Sequence, residues 1–206
     1  MEPGITLPSL TALFGAMAVL AAVPGVSVLT VTARAAAFGF RHGAAAALGV
    51  VAGDLLFIML ALSGLALLVE ALGDLFYVVE YLAAAYLVGL GLLLLHSRAR
   101  PPGARPASAS LPGSFLAGLL VTLGDHKAVL FYLGFLPTFV DVATVTLADS
   151  WRIGLVAILA VGGVKLAYAW VAARAGSLPG VGAGRVLDVL AAGILVAAGL
   201  TMALSV

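Results

Sequence analysis

Cysteine is absent from this chain, which excludes disulfides, thiolate metal sites and any dithiol electron relay. Charge is scarce too: only 9% of the 206 residues are Asp, Glu, Lys or Arg. A soluble domain of this length needs far more polar surface. Histidine occurs three times; His42 and His96 read as loop residues, which leaves His126. His-Glu-x-x-His and Gly-x-Ser-x-Gly are missing, so neither a zinc-hydrolase helix nor a serine-nucleophile turn is available. No catalytic residue, cofactor or metal is expected. A net charge of +1 without a long basic run gives no reason to expect nucleic acid as a partner.

Apolar residues fill the space that charge leaves. Mean hydropathy is +1.23, which reads as a single membrane transport domain over 1–206, surrounded by membrane lipids. The start, Met1-Glu2-Pro3-Gly4, lacks the positive region of a signal peptide, so the first apolar stretch is expected to stay. A helix needs about 20 mainly apolar residues to cross the hydrocarbon. Six stretches qualify, at about 8–31, 44–69, 75–95, 113–139, 152–173 and 186–205. The loops alternate in sign. Arg34, Arg41 and His42 lie in the first and Glu70 and Asp74 in the second. Arg98, Arg100 and Arg105 follow in the third, Asp141 and Asp149 in the fourth, and Arg174 and Arg185 in the fifth. Basic loops stay cytoplasmic, so both termini are expected outside, and Arg34, Arg41, Arg98 and Arg100 are read as topology determinants.

The segment at about 96–112 holds Pro101, Pro102, Pro106 and Pro112 and reads as an irregular cytoplasmic linker. It separates repeat one, about 8–95, from repeat two, about 113–206. Leu82-Ala83-Ala84 matches Leu190-Ala191-Ala192, and Gly91-Leu92 matches Gly199-Leu200, with Glu80 opposite Asp188. Three spans per half force opposite insertion. The expected fold is therefore an all-α membrane protein of six transmembrane helices in two inverted three-helix repeats, with broken first helices. Such repeats place substrate near the midplane, where broken helices meet. Pro24-Gly25 breaks the first span, and Gly124-Asp125-His126-Lys127 the fourth. Proline removes a donor and kinks a helix, and the backbone groups it frees need a partner or a wet cavity.

Asp54 and Lys165 interrupt the second and fifth spans. A charge at the bilayer centre costs roughly 2.5–3.5 kcal/mol and marks a polar path or a partner. Asp54 has three open roles: carrying a coupling proton, binding a substrate ammonium, or pairing structurally with Lys165 or Lys127. Lys127 suits a substrate carboxylate. Asp125 suits an ammonium or a proton, and His126 could relay protons. All three also fit a wet bend that only satisfies loose backbone. Lys165, after Gly162-Gly163, is the candidate counter-charge of Asp54 or Asp125. Pro24, Gly25 and Gly124 shape the path. Gly49 and Gly53 form a small-xxx-small face, read first as helix packing and second as a homodimer contact. Tyr86, Tyr132 and Tyr168 suit packing or interfacial positions more than a cavity.

At these residues the chain resembles the LysE/RhtB family of bacterial amino-acid exporters over nearly its whole length. The matching motifs are Pro24-Gly25-Val26, Gly49 through Gly53-Asp54, and Asp125-His126-Lys127-Ala128 followed by Phe135-Leu136-Pro137. The resemblance implies export of a small amino acid or related metabolite across the bacterial plasma (inner) membrane, generally by proton antiport. Three departures stand out. Val26 takes the place of a second proline, Asp125-His126 that of Asn-Pro, and Glu80 that of a basic residue. Export of another small solute, a lipid precursor or a divalent cation is the alternative.

Overall fold

A computed structural model describes residues 5–63, 110–136, 139–140 and 145–176, with isolated residues between 81 and 92 and between 193 and 200. The expected spans at about 75–95 and 186–205, with Glu80, Asp188 and most of the repeat matches, lie outside the described residues. Every element among the described residues is helical.

Helix α1, Leu7–Ala22, starts where Thr6 accepts a hydrogen bond from the Ser9 amide and Pro8 occupies the first turn, where no amide is required. Pro24 then stops it, and Val23 before the proline is extended, with ψ 120°. Helix α2, Val26–Phe38, leaves at 63° to α1. A single glycine, Gly39 at φ +90°, turns the chain into α3, Phe40–Leu62. Helix α4, Leu111–Leu123, is capped by Ser110. Gly124 and Asp125 separate it from α5, His126–Val129, which continues as a π turn over Leu130–Phe135. The two parts bend by 65°. Helix α6, Leu147–Ala157, passes through a π turn at Ile158–Gly162 into α7, Gly163–Gly176.

Among the described residues two helices are long and apolar enough to cross a membrane, Phe40–Leu62 and Leu147–Ala175. Each bent pair passes the same test when taken together, which makes up to four spans among the described residues. The outward surface is apolar, with Val19, Met59, Trp151, Leu159 and Trp170 all exposed, as hydrocarbon solvent requires. Leu13, Met17, Val31, Tyr132, Leu136 and Ile153 form the packed interior.

Helices α3 and α4 cross with their backbones in contact. A Cβ on Gly49 would strike the Phe115 carbonyl, and one on Gly118 the Ala46 carbonyl. One on Gly53 would lie 2.8 Å from the Thr122 side chain. Small residues thus bring two backbones into contact, as membrane helices often do. The Gly49/Gly53 face is used within the chain.

Two expected loops are corrected. Arg34 sits inside α2 and His42 in the first turn of α3, because the helical Ala-rich sequence runs past the end of the apolar run. Asp149 belongs to α6, not to a loop. With Thr146 it forms a reciprocal capping box, in which a polar residue marks the helix start rather than its absence. Helix α4 likewise begins at Leu111, inside the stretch read as linker.

Candidate substrate site

The two breaks meet. Between them lies a cavity of about 40 Å³ whose walls include Gly25, Ser27, Asp54, Asp125, Lys127 and Lys165. That volume holds a few waters. Val23 and Lys127 stand at its exposed side, whereas Asp54 is 5% and Lys165 2% exposed.

The first break is pinned from α7. The Lys165 ammonium donates to the Ala21 carbonyl and to Ser27 Oγ, each at 3.1 Å. It therefore joins the end of α1 to the first turn of α2. Three residues on, the Tyr168 hydroxyl donates to the Ala22 carbonyl at 2.8 Å. Positions three apart share a helix face, so one face of α7 satisfies carbonyls that α1 leaves unpaired. A cation at a helix C-terminus also meets the negative end of its dipole. Among the described residues no carboxylate lies within ion-pair distance of Lys165, so a counter-charge role toward Asp54 or Asp125 acts at longer range and not through a direct pair. Free carbonyls at a proline break compete for the ammonium and win. Asp54, Asp125 and Lys165 remain within electrostatic reach of one another.

The second break is satisfied by its own carboxylate. Asp125 Oδ1 accepts from the Lys127 amide at 3.0 Å, and the Asp125 carbonyl from the Val129 amide at 3.1 Å. Asp125 thus caps α5 in the usual manner. The start of α2 differs: Gly25 provides no side-chain cap. The Lys127 ammonium lies 3.6 Å from where a Gly25 Cβ would stand. One helix start is therefore already occupied by an anion, and the other combines open amides with a cation.

Asp54 comes from α3 and shares the cavity wall with Tyr132. Tyr132 is 1% exposed and stacks on Phe57 with centroids 6.4 Å apart. It packs in the core, as expected, and also lines the cavity. Met17, Leu20, Val50 and Val161 complete the wall with apolar surface.

Gly124 ends α4 at φ −95°, a geometry open to any residue, and Pro24 breaks the helix without lining the cavity. His126 heads α5; its side chain lies outside what the structure describes. Ser27 and Thr122 were not singled out from sequence, and Tyr168 was read there as a packing or interfacial residue rather than as a support for the break. Ser27 follows the break by two residues and Tyr168 follows Lys165 by three, and those offsets were the available signals.

Residues 18–205 match the model of the family described as LysE type translocator. The chain belongs to that family. It is a membrane-embedded transporter, and enzymatic chemistry is not what this family performs. It is 48% identical over 198 residues to a membrane protein of Synechocystis sp. (strain ATCC 27184 / PCC 6803 / Kazusa), covering 96% of both chains. It is 35% identical over 137 residues to the leucine efflux protein of Enterobacter sp. (strain 638), covering 64% of this translocator and 63% of that protein. The leucine efflux protein of Klebsiella pneumoniae subsp. pneumoniae is 38% identical over 139 residues, or 65% of this chain and 63% of its own. No solved structure matches the translocator.

Proposed function

We propose that this translocator exports a small amino acid with an apolar side chain, the class to which leucine belongs, in exchange for protons. The observation that carries the reading is the convergence of Asp54, Asp125, Lys127 and Lys165 on one cavity between two helix breaks. A zwitterion needs both signs of charge, and a bare cation does not need two lysines. The names of the leucine efflux relatives support the same class.

In this reading the substrate carboxylate docks at the uncapped start of α2, beside Lys127. The ammonium faces Asp54, and the side chain lies against Met17, Leu20 and Val161. Asp54 exchanges between substrate and proton, which couples the two flows. The cavity is too small for an amino acid, so this conformation is the closed one. Widening requires the α1–α2 elbow to move against the α4–α5 elbow. We read the chain as one transport domain over 1–206 whose inverted halves alternate access to the two sides. It lies in the plasma membrane with both termini outside.

Counterflow in proteoliposomes, with labelled amino acids and a divalent cation, tests this. Gradient-stimulated uptake of leucine or a similar neutral amino acid is expected. Silence for every amino acid from folded, inserted protein would refute the substrate class, and uptake indifferent to the pH gradient would refute the coupling.

A further inference from the structure

Helix α2 ends, and α3 and α4 begin, at one end of the helix cluster. Arg34 of α2 donates to the Gly113 carbonyl of α4 at 3.5 Å, and His42 Nδ1 of α3 lies 3.0 Å from Ser114 Oγ of α4. At this corner an open pocket of about 370 Å³ is lined by Phe38, Gly39, Phe40, Arg41, His42 and Leu111. It shares no lining residue with the substrate cavity.

The lining has two chemistries. Arg41 is exposed and bears a fixed positive charge, and His42 is held in place by Ser114. Arg34 sits behind them, 3% exposed, with its guanidinium 5.6 Å from the centre of the Phe38 ring. Around this basic centre Phe40 is 43% and Leu111 39% exposed. Basic groups alone would suit any anion. Basic groups framed by exposed aromatic and aliphatic side chains, at the end of spans whose outer surface is apolar, suit an anion that carries acyl chains. The glycine turn helps: Gly39 at φ +90° leaves the start of α3 without a side-chain cap, so amides and the dipole also favour a phosphate here.

We propose that this corner is a binding site for the phosphate headgroup of an anionic phospholipid. Arg41 contacts the phosphate bidentately, His42 and the open turn at Gly39 line its other side, and Phe40 and Leu111 receive the upper acyl chains. A juxtamembrane basic residue contributes on the scale of a few-fold in lipid affinity.

Native mass spectrometry of the detergent-purified chain tests this by titration with phosphatidylglycerol, phosphatidylcholine or glycerol 3-phosphate. Phosphatidylglycerol is expected to bind with saturation, and Arg41→Gln to weaken it roughly fivefold. His42→Gln should weaken it less. Arg152→Gln, which removes the exposed member of the Arg152–Asp149 pair at α6, should leave it unchanged. The Arg41 side chain is exposed, so the melting temperature of Arg41→Gln should match that of the parent. Equal binding of phosphatidylcholine would overturn the proposal. So would glycerol 3-phosphate binding as tightly as the lipid, which would make this a site for a free phosphate. Unchanged phosphatidylglycerol affinity in a folded Arg41→Gln would overturn it too.

Discussion

Lys165 shows how a buried cation can be held without a direct ion pair. Its ammonium replaces water with one carbonyl and one hydroxyl, and the two acceptors sit on opposite sides of a helix break. Lys165→Met should therefore loosen the elbow, lowering stability by about 1.5–3 kcal/mol, the range for hydrogen bonds to a charged group. Thermal unfolding in detergent reads that loss directly. Tyr168→Phe removes one neutral bond to Ala22 and should cost only about 0.5–1.5 kcal/mol, with substrate affinity unchanged. Asp54→Asn should behave in the opposite way. It removes a buried ionisable group and keeps the shape of the side chain, so the protein should fold at least as well, yet gradient-driven export should fall at least tenfold, about 1.4 kcal/mol. If export by Asp54→Asn keeps its pH-gradient dependence, the coupling role is wrong.

At the scale of elements, glycine placement decides how closely helices approach. Gly49 and Gly118 each face a carbonyl of the other helix with no room for a methyl. Ala at either position should push α3 from α4 and destabilise the protein by about 1–3 kcal/mol, measured as a drop in melting temperature. Gly15 has nothing within 4 Å, so Gly15→Ala should be neutral or slightly stabilising. Sequence spacing revealed the Gly49/Gly53 face but not its partner, because two helices with similar small-residue patterns look alike until their crossing is known. The π turn at Ile158–Gly162 was also hidden. One extra residue rotates everything after it by about 100°, and that rotation sets which face carries Lys165 and Tyr168.

For the whole molecule, the absence of cysteine makes topology testable. Helix α3 has 23 residues, about 35 Å at 1.5 Å each, enough to cross a hydrocarbon core of about 30 Å. Single substitutions Arg41→Cys and Ser63→Cys mark its two ends. Impermeant maleimide is expected to label Arg41→Cys only from the cytoplasm and Ser63→Cys only from outside. Labelling of both from one side would show that α3 does not cross, and a reversed pattern would overturn the proposed orientation.

Membrane residence, helical class, the two breaks and the identity of the four charged candidates were legible in the amino-acid order. Each depends on local chemistry: apolar length, a proline without an amide, an ionisable group where none is cheap. The partners of those charges were not legible. Lys165 could be matched with a carboxylate by sign alone, but only the packed structure shows carbonyls freed by Pro24 already facing it. Asp125 and Lys127 are two residues apart, yet only the fold turns one into the cap of α5 and carries the other to the start of α2. Tertiary structure decided these matters because competition among nearby donors and acceptors depends on distance and direction, which a linear order does not contain.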